Sequence, residues 1–230
     1  MDKNFLDTLS KDGDAYLIAS ADDLCNLSEY VNAGNDCKDL IFKLANDIDL
    51  SSVENFTPIG TQKNLFAGTF DGNGKTISNL KINSESDYVG LFGYAGSNCM
   101  IKNVNLIDAK VNGERAVGGL VGYNNHGKIE NCTASGNVSG EKFVGGLVGW
   151  NNGGTIENCT ARGDVTGNDD IGGLVGYNRG TIENCTAKGD VTGNDDIGGL
   201  VGDNLGETKN CEASGNVCGD GLIIVRKLAT

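Results

Sequence analysis

The sequence predicts an all-β protein: a right-handed parallel β-helix, or solenoid, of about seven coils with an N-terminal helical cap. Three recurring strings predict it. Gly-Gly-Leu-Val-Gly occurs at Gly118–Gly122, Gly145–Gly149, Gly172–Gly176 and Gly198–Gly202, and an earlier relative, Val89-Gly90-Leu91-Phe92-Gly93, precedes them. Ile-Glu-Asn-Cys-Thr-Ala occurs at Ile129–Ala134, Ile156–Ala161 and Ile182–Ala187, and Val-x-Gly recurs at Val111, Val138, Val165, Val191 and Val217. A period of 26–29 residues holding three short strand-like pieces, each bounded by Gly or Asn, is the pattern of a three-sided coil.

Composition agrees. The 230 residues include 36 Gly, one Pro and one Trp, with aromatics at 6%, so bulk for a compact core is scarce. Each piece is too short to fold alone. Stacking gives every strand a neighbour about 4.8 Å above and below and buries one continuous aliphatic column. A helical solenoid is excluded, because within the repeats no ten-residue window keeps a 3.6-residue pattern free of Gly. A propeller blade needs a longer period of about 40–45 residues.

Along the chain, residues 1–40 form an N-terminal segment with a capping helix. Ser20 is its N-cap, Leu24, Leu27 and Val31 are its apolar face, and Asn32 to Gly34 stop it. Residues 41–221 hold the repeats, about seven coils between Ile41 and Gly219. Residues 222–230 begin with the dense apolar run Leu222–Val225, a capping strand or an exposed pairing edge.

These residues carry a family resemblance. The Gly-Gly-Leu-Val-Gly cores at Gly118, Gly145, Gly172 and Gly198, with the Ile-x-Asn-Cys piece between them, resemble the GLUG motif of bacterial surface proteins. The motif is also found beside immunoglobulin-A-cleaving proteases. The upstream runs Leu44–Leu50, Pro58–Gly60 and Gly68–Gly74 resemble the lead-in to such repeats. The resemblance spans about Ala15 to Gly219. It implies a β-helix in a cell-surface or adhesive setting, and no chemistry.

Eight Cys are present, and Cys132, Cys159, Cys185 and Cys211 share one repeat position that Val104 fills earlier. A slot that accepts Val is apolar, so this column is expected to hold buried free thiols in preference to disulfides or zinc. On that view Cys159→Ser costs more than Cys159→Ala. Cys25 and Cys37 are placed to pair across the cap in an oxidising compartment. Asn103, Asn131, Asn158, Asn184 and Asn210 form a second column, read as a side-chain hydrogen-bond ladder at a bend. Three of them also begin Asn-Cys-Thr sequons, for which glycosylation is the less favoured reading.

Two columns are candidate binding surfaces. Tyr94, Tyr123, Trp150 and Tyr177 follow the Gly-Leu-bulky-Gly cores, and alternation points them outward as a flat ribbon flanked by Asn124, Asn151, Asn178 and Asn204. Such a ribbon either holds a sugar or a partner's side chain, or stabilises the rod by ring stacking. Glu114, Glu141, Asp169, Asp170, Asp195, Asp196 and Asp220 form an acidic edge, favoured as a solvated surface over a Ca²⁺ bridge between its Asp pairs.

A net charge of -13 excludes direct nucleic-acid binding as a class. No stretch approaches the roughly 20 apolar residues of a membrane span, so no membrane insertion is expected. The N-terminal residues lack a signal-peptide run, which fits a cytosolic protein or a removed leader. One His, His126, occurs in one coil only, and Asp164 and Asp190, like Arg162 and Lys188, repeat as architecture does. Catalysis, cofactors and metals are therefore not expected. The expectation is a non-catalytic binding or display module, cell-surface or secreted, recognising glycan or protein along one face. The alternative is a cytoplasmic acidic decoy, such as a phage-encoded inhibitor, filling the basic groove of a nucleic-acid-processing protein.

Overall fold

A computed structural model describes residues 4–219. It is a parallel β-solenoid of about eight turns. The seven levels read between Ile41 and Gly219 are present, and Ala15–Ile18 adds one before them by pairing in parallel with Ile41–Leu44. Successive coils then stack in register, as in Thr155–Glu157 on Lys128–Glu130 and Thr181–Glu183 on Thr155–Glu157. The expected capping strand Leu222–Val225 and Asp220 lie outside the described residues.

Each full coil passes through four sheets, so it has four sides, not three. One coil comprises Lys128–Glu130, Thr133–Ser139, Lys142–Gly145 and Val148–Asn152, which belong to sheets of nine, eleven, four and five strands. The extra corner splits the Val-Gly-Gly-Leu-Val-Gly run, which looked like one piece. Gly145 makes the corner: a Cβ there would lie 2.1 Å from the Val148 carbonyl oxygen, so only glycine lets the chain double back. The next bend is made by Asn103, Asn131, Asn158, Asn184 and Asn210, all at φ between 51° and 54°. Only Asn184 and Asn210 bond to one another directly in this column, with Asn210 Nδ2 donating to Asn184 Oδ1 at 3.2 Å. Asparagine is therefore there chiefly because it tolerates the left-handed backbone, and less for the side-chain ladder expected.

The interior is filled differently along the rod. Near the N-terminal end Phe42, Phe66, Phe70 and Phe92 interlock, with ring centroids 5.2–6.3 Å apart. Farther along, the same space is taken by Leu147, Leu174, Ile156, Ile182 and the small Cys132, Cys159, Cys185, Ala134, Ala161 and Ala187, all nearly fully buried. Helix α1, Ala21–Asn32, closes the wide end with Leu24, Leu27 and Val31 buried. Ser20 caps it by accepting from the Asp23 N–H, while Asp23 Oδ2 accepts from the Ala19 N–H. Among the described residues no helix is long and apolar enough to cross a membrane.

A candidate binding groove on the outside of the rod

The Gly-Gly corner folds two strands of each coil toward one another, which makes the exterior concave there. Closeness is severe: a Cβ on Gly149 would lie 2.4 Å from the Ala116 backbone, and one on Gly176 would lie 2.4 Å from that of Phe143. Outward side chains from the two strands therefore meet in a shared groove. One wall is the column Tyr94, Tyr123, Trp150, Tyr177 and Asp203, aligned by strand register. The other is Tyr88, Ala116, Phe143, Asp170 and Asp196, whose φ values of 48–61° turn them out of the strand.

The four aromatics read from the sequence are brought together, but not as a flat ribbon. Tyr94 and Tyr123 stack at 4.6 Å and 24°, whereas Tyr123–Trp150 and Trp150–Tyr177 are edge-to-face at 70° and 82°. Opposite-wall rings interdigitate, with Phe143 5.0 Å from Trp150 and 5.1 Å from Tyr177. Ala116, Phe143 and Tyr177 are buried while Tyr88 and Trp150 are half-buried, so the groove floor is a small apolar core outside the main one. The second wall was missed. Its signal was the position just before each Val/Ile-Gly, at Tyr88, Ala116, Phe143, Asp170 and Asp196.

Asn124, Asn151 and Asn178 do not flank the rings. They point inward and are fully buried. Asn124 Nδ2 donates to Asn151 Oδ1 at 2.9 Å, Asn151 Nδ2 to Asn178 Oδ1 at 2.8 Å, and Asn178 Nδ2 to Asn204 Oδ1 at 2.8 Å. Alternation after the outward aromatic sends the next residue in, and the amide satisfies turn carbonyls that water cannot reach.

The single acidic edge is also corrected, because consecutive residues fall into three columns. Glu114 and Glu141 stand exposed; Asn168 Nδ2 donates to Glu141 and Asn194 Nδ2 to Asn168. Asp169 and Asp195 continue a column begun by Arg115 and Lys142. Asp170 is buried at 4% and belongs to the groove with Asp196. Lys142 pairs with Asp169 and, at 3.1 Å, with Asp170, and its ammonium also lies 4.9 Å from the Phe143 ring centroid. Arg115 lies 5.4 Å from that ring, and Arg179 donates to the Tyr177 hydroxyl at 2.9 Å. Burial pushes the Asp170 carboxyl up to about 6 despite Lys142, and Asp196 is raised by burial and by Asp203 nearby. Carboxylate oxygens of Asp169, Asp170 and Asp196 converge within 4.8 Å, with Asp195 outside the group. The Lys142 ammonium already supplies this cluster with a cation.

Cys132, Cys159 and Cys185 are buried at 1% and Cys211 partly so, all as free thiols. They are more than small hydrophobes. Cys159 Sγ accepts the Cys132 N–H at 3.4 Å and donates to the Glu157 carbonyl at 3.1 Å, and Cys185 and Cys211 repeat the pattern. Cys25 and Cys37 are also free and unbonded to each other; the Cys37 thiol points to the Asn35 carbonyl at 3.4 Å.

Comparison with known proteins fits this architecture. A model of the GLUG motif matches residues 113–139, 144–166 and 167–192. A protein of Evansella cellulosilytica, provisionally named a Gly-rich membrane protein, is 38% identical over 125 residues, or 50% of this chain and 14% of that protein. Halomucin of Haloquadratum walsbyi is 47% identical over 74 residues, or 32% of this chain and 1% of that protein. The matched stretch thus spans a small part of either relative. A crystal structure from Bacteroides ovatus, provisionally described as an immunoglobulin A1 protease, superposes with a TM-score of 0.66 over 91% of this chain and 78% of that one. At 22% identity this shows a shared fold alone. The chain is a β-solenoid of stacked repeats, and three of its successive repeats match the GLUG motif.

Proposed function

We propose that this module is a non-catalytic, surface-displayed scaffold that binds a glycan or a protein along the aromatic groove. The observation that carries the reading is the second apolar cluster. A rod whose interior is already closed has no structural need for Tyr88, Tyr94, Tyr123 and Trp150 on its outside, partly open to solvent over the buried Phe143. Aromatic faces beside carboxylates and hydroxyls suit sugar rings and the side chains of a peptide. The surface setting is supported by the relatives, one named a membrane protein and the other a halomucin. The acidic decoy loses its basis, since the carboxylates are divided among three columns and partly neutralised by Lys142.

Trp150 is the protein's one tryptophan, so the groove carries its own reporter. The full chain is screened on a glycan array and a peptide library, and each hit is titrated against Trp150 emission. A hit should shift the emission and lose at least tenfold in affinity with Trp150→Ala. Hits that leave the emission unchanged and bind the variant equally well refute the groove as the binding surface.

A further inference from the structure

A second groove runs along the eleven-stranded sheet, away from the aromatic one. It is open, about 630 Å³ in volume, and lined by Asn55, Lys81, Asn83, Lys110, Asn112 and Ser139 together with Glu54. Lys81 and Lys110 are direct neighbours in parallel register, one coil apart. Like charges so placed repel, and neither lysine joins an ion pair among the described residues. Arg162 and Lys188 form a similar neighbour pair without an ion-pair partner among the described residues; Lys81 and Lys110 differ in lining the groove.

Beside them the polar side chains form a rigid rail. Asn83 N–H donates to Asn55 Oδ1 at 2.8 Å, Asn112 Nδ2 to Asn83 Oδ1 at 3.0 Å, and Ser139 Oγ to Asn112 Oδ1 at 2.9 Å. The rail fixes its amides in orientation, so hydrogen bonding to a ligand costs little side-chain entropy. The lysines repeat at the coil spacing of about 4.8 Å, which is comparable with the length of one pyranose unit. Residues beyond Lys110 in the same column are Asn137, then Asp164 and Asp190, so the cationic character ends after two coils.

We infer that this groove binds a carboxylated oligosaccharide, with Lys81 and Lys110 each meeting the carboxylate of one sugar and the Asn55–Asn83–Asn112–Ser139 rail meeting hydroxyls. The size matches small-ligand sites of roughly 300–1,000 Å³. Nucleic acid is a poor fit, because the remaining surface repels a phosphate backbone.

The test is calorimetric titration of the full chain with a trimer of galacturonic acid, the neutral galactose trimer, a sulfated trimer and a single-stranded oligonucleotide. The galacturonate trimer should bind, should weaken as salt rises, and should lose at least tenfold in affinity when Lys81→Gln and Lys110→Gln are combined. Trp150→Ala should leave this binding unchanged, which separates the site from the aromatic groove. Both lysines are exposed, so the double variant should fold, checked by circular dichroism. Absence of galacturonate binding, equal binding by the double variant, or loss of binding with Trp150→Ala overturns the inference. Tighter binding of the sulfated trimer overturns the carboxylate assignment, and equal binding of the oligonucleotide overturns the saccharide.

Discussion

Replacing Asn151 by Ala removes one rung from the buried amide ladder. Three hydrogen bonds disappear: Asn124 Nδ2 to Asn151 Oδ1 at 2.9 Å, Asn151 Nδ2 to the Gly154 carbonyl at 3.0 Å, and Asn151 Nδ2 to Asn178 Oδ1 at 2.8 Å. Their partners fare unequally. The Gly154 carbonyl still accepts from the Thr181 N–H, and Asn178 Oδ1 from the Gly180 N–H. Asn124 keeps one amide hydrogen on the Gly127 carbonyl and is left with the other buried and unpaired. One orphaned donor costs about 1–3 kcal/mol and each weakened acceptor about 0.5–1.5 kcal/mol. The expected loss is about 2–6 kcal/mol.

Urea unfolding followed by circular dichroism measures it, with the m-value checked for constancy, since a solenoid can unfold in sections. Asn204→Ala is the control. Asn204 sits at the last rung, is half-exposed, and accepts from Asn178 Nδ2 and the Gly206 N–H. Water can replace those bonds, so its loss should stay below about 1.5 kcal/mol. A cost under about 1 kcal/mol for Asn151→Ala, or a cost for Asn204→Ala that equals it, refutes the view that the ladder acts as a buried, coupled network.

Other expectations follow from the same geometry. Cys159→Ser should be milder than Cys159→Ala in urea unfolding, because the hydroxyl can keep the Cys132 N–H and the Glu157 carbonyl, whereas Ala orphans a buried N–H at about 1–3 kcal/mol. This reverses the order expected from an apolar slot. In native protein a thiol reagent should reach Cys218 first and reach Cys99 and Cys159 only on unfolding, read by mass spectrometry; burial pushes Cys99 up to about 12, and Cys159 is also raised, chiefly by its bond with Cys132. The pH dependence of stability should carry the mark of Asp170. Its charged form is disfavoured in the fold, so the folded carboxyl titrates at about 6 against 3.8, and stability should rise as pH falls from about 6 to about 4. The gain should be about 1–2 kcal/mol after screening at the groove mouth, and Asp170→Asn should abolish it; an unchanged pH profile in the variant counts against the assignment.

The repeats made most of the scaffold legible, because a stacked coil needs the same residue at the same place in every turn. Leu147 and Leu174, Ile156 and Ile182, and the Cys column could be placed inside from spacing alone, and the helix from Ser20 and its apolar face. The features missed around the aromatic groove share one physical cause: the corner at Gly145. From sequence it is two glycines within an apolar run, and nothing marks a turn inside a stretch that reads as one strand. Without that turn the exterior looks convex, the aromatics look like a flat ribbon, and Asn124, Asn151 and Asn178 look exposed. The first level at Ala15–Ile18 was missed because it lacks the repeat's glycines and lies before the helix, within residues 1–40 that were assigned to the N-terminal capping segment.

Repetition also separates what builds the rod from what it offers to others. Positions holding a corner or a bend keep one residue through the coils: Gly118, Gly145, Gly172 and Gly198 at the corner, Asn131, Asn158 and Asn184 at the left-handed bend. The second groove wall keeps its backbone, at φ 48–61° throughout, while its side chains change from Tyr88 to Ala116, Phe143, Asp170 and Asp196. The column of Lys81, Lys110, Asn137, Asp164 and Asp190 likewise keeps its register and changes its charge. Packing demands constancy of a stacked position, because each side chain fills space set by its neighbours above and below. An outward position is under no such demand, so variation there at fixed backbone geometry leaves room for selection by a partner. The aromatic groove and the lysine groove are both built from columns that vary in this way, and both gain carboxylates toward the C-terminal coils. One becomes acidic toward the C-terminal coils where its rings end. The other is cationic only where the aromatic groove begins, so the two surfaces offer different chemistry on different sheets of one rod, and a ligand for one need not compete with a ligand for the other.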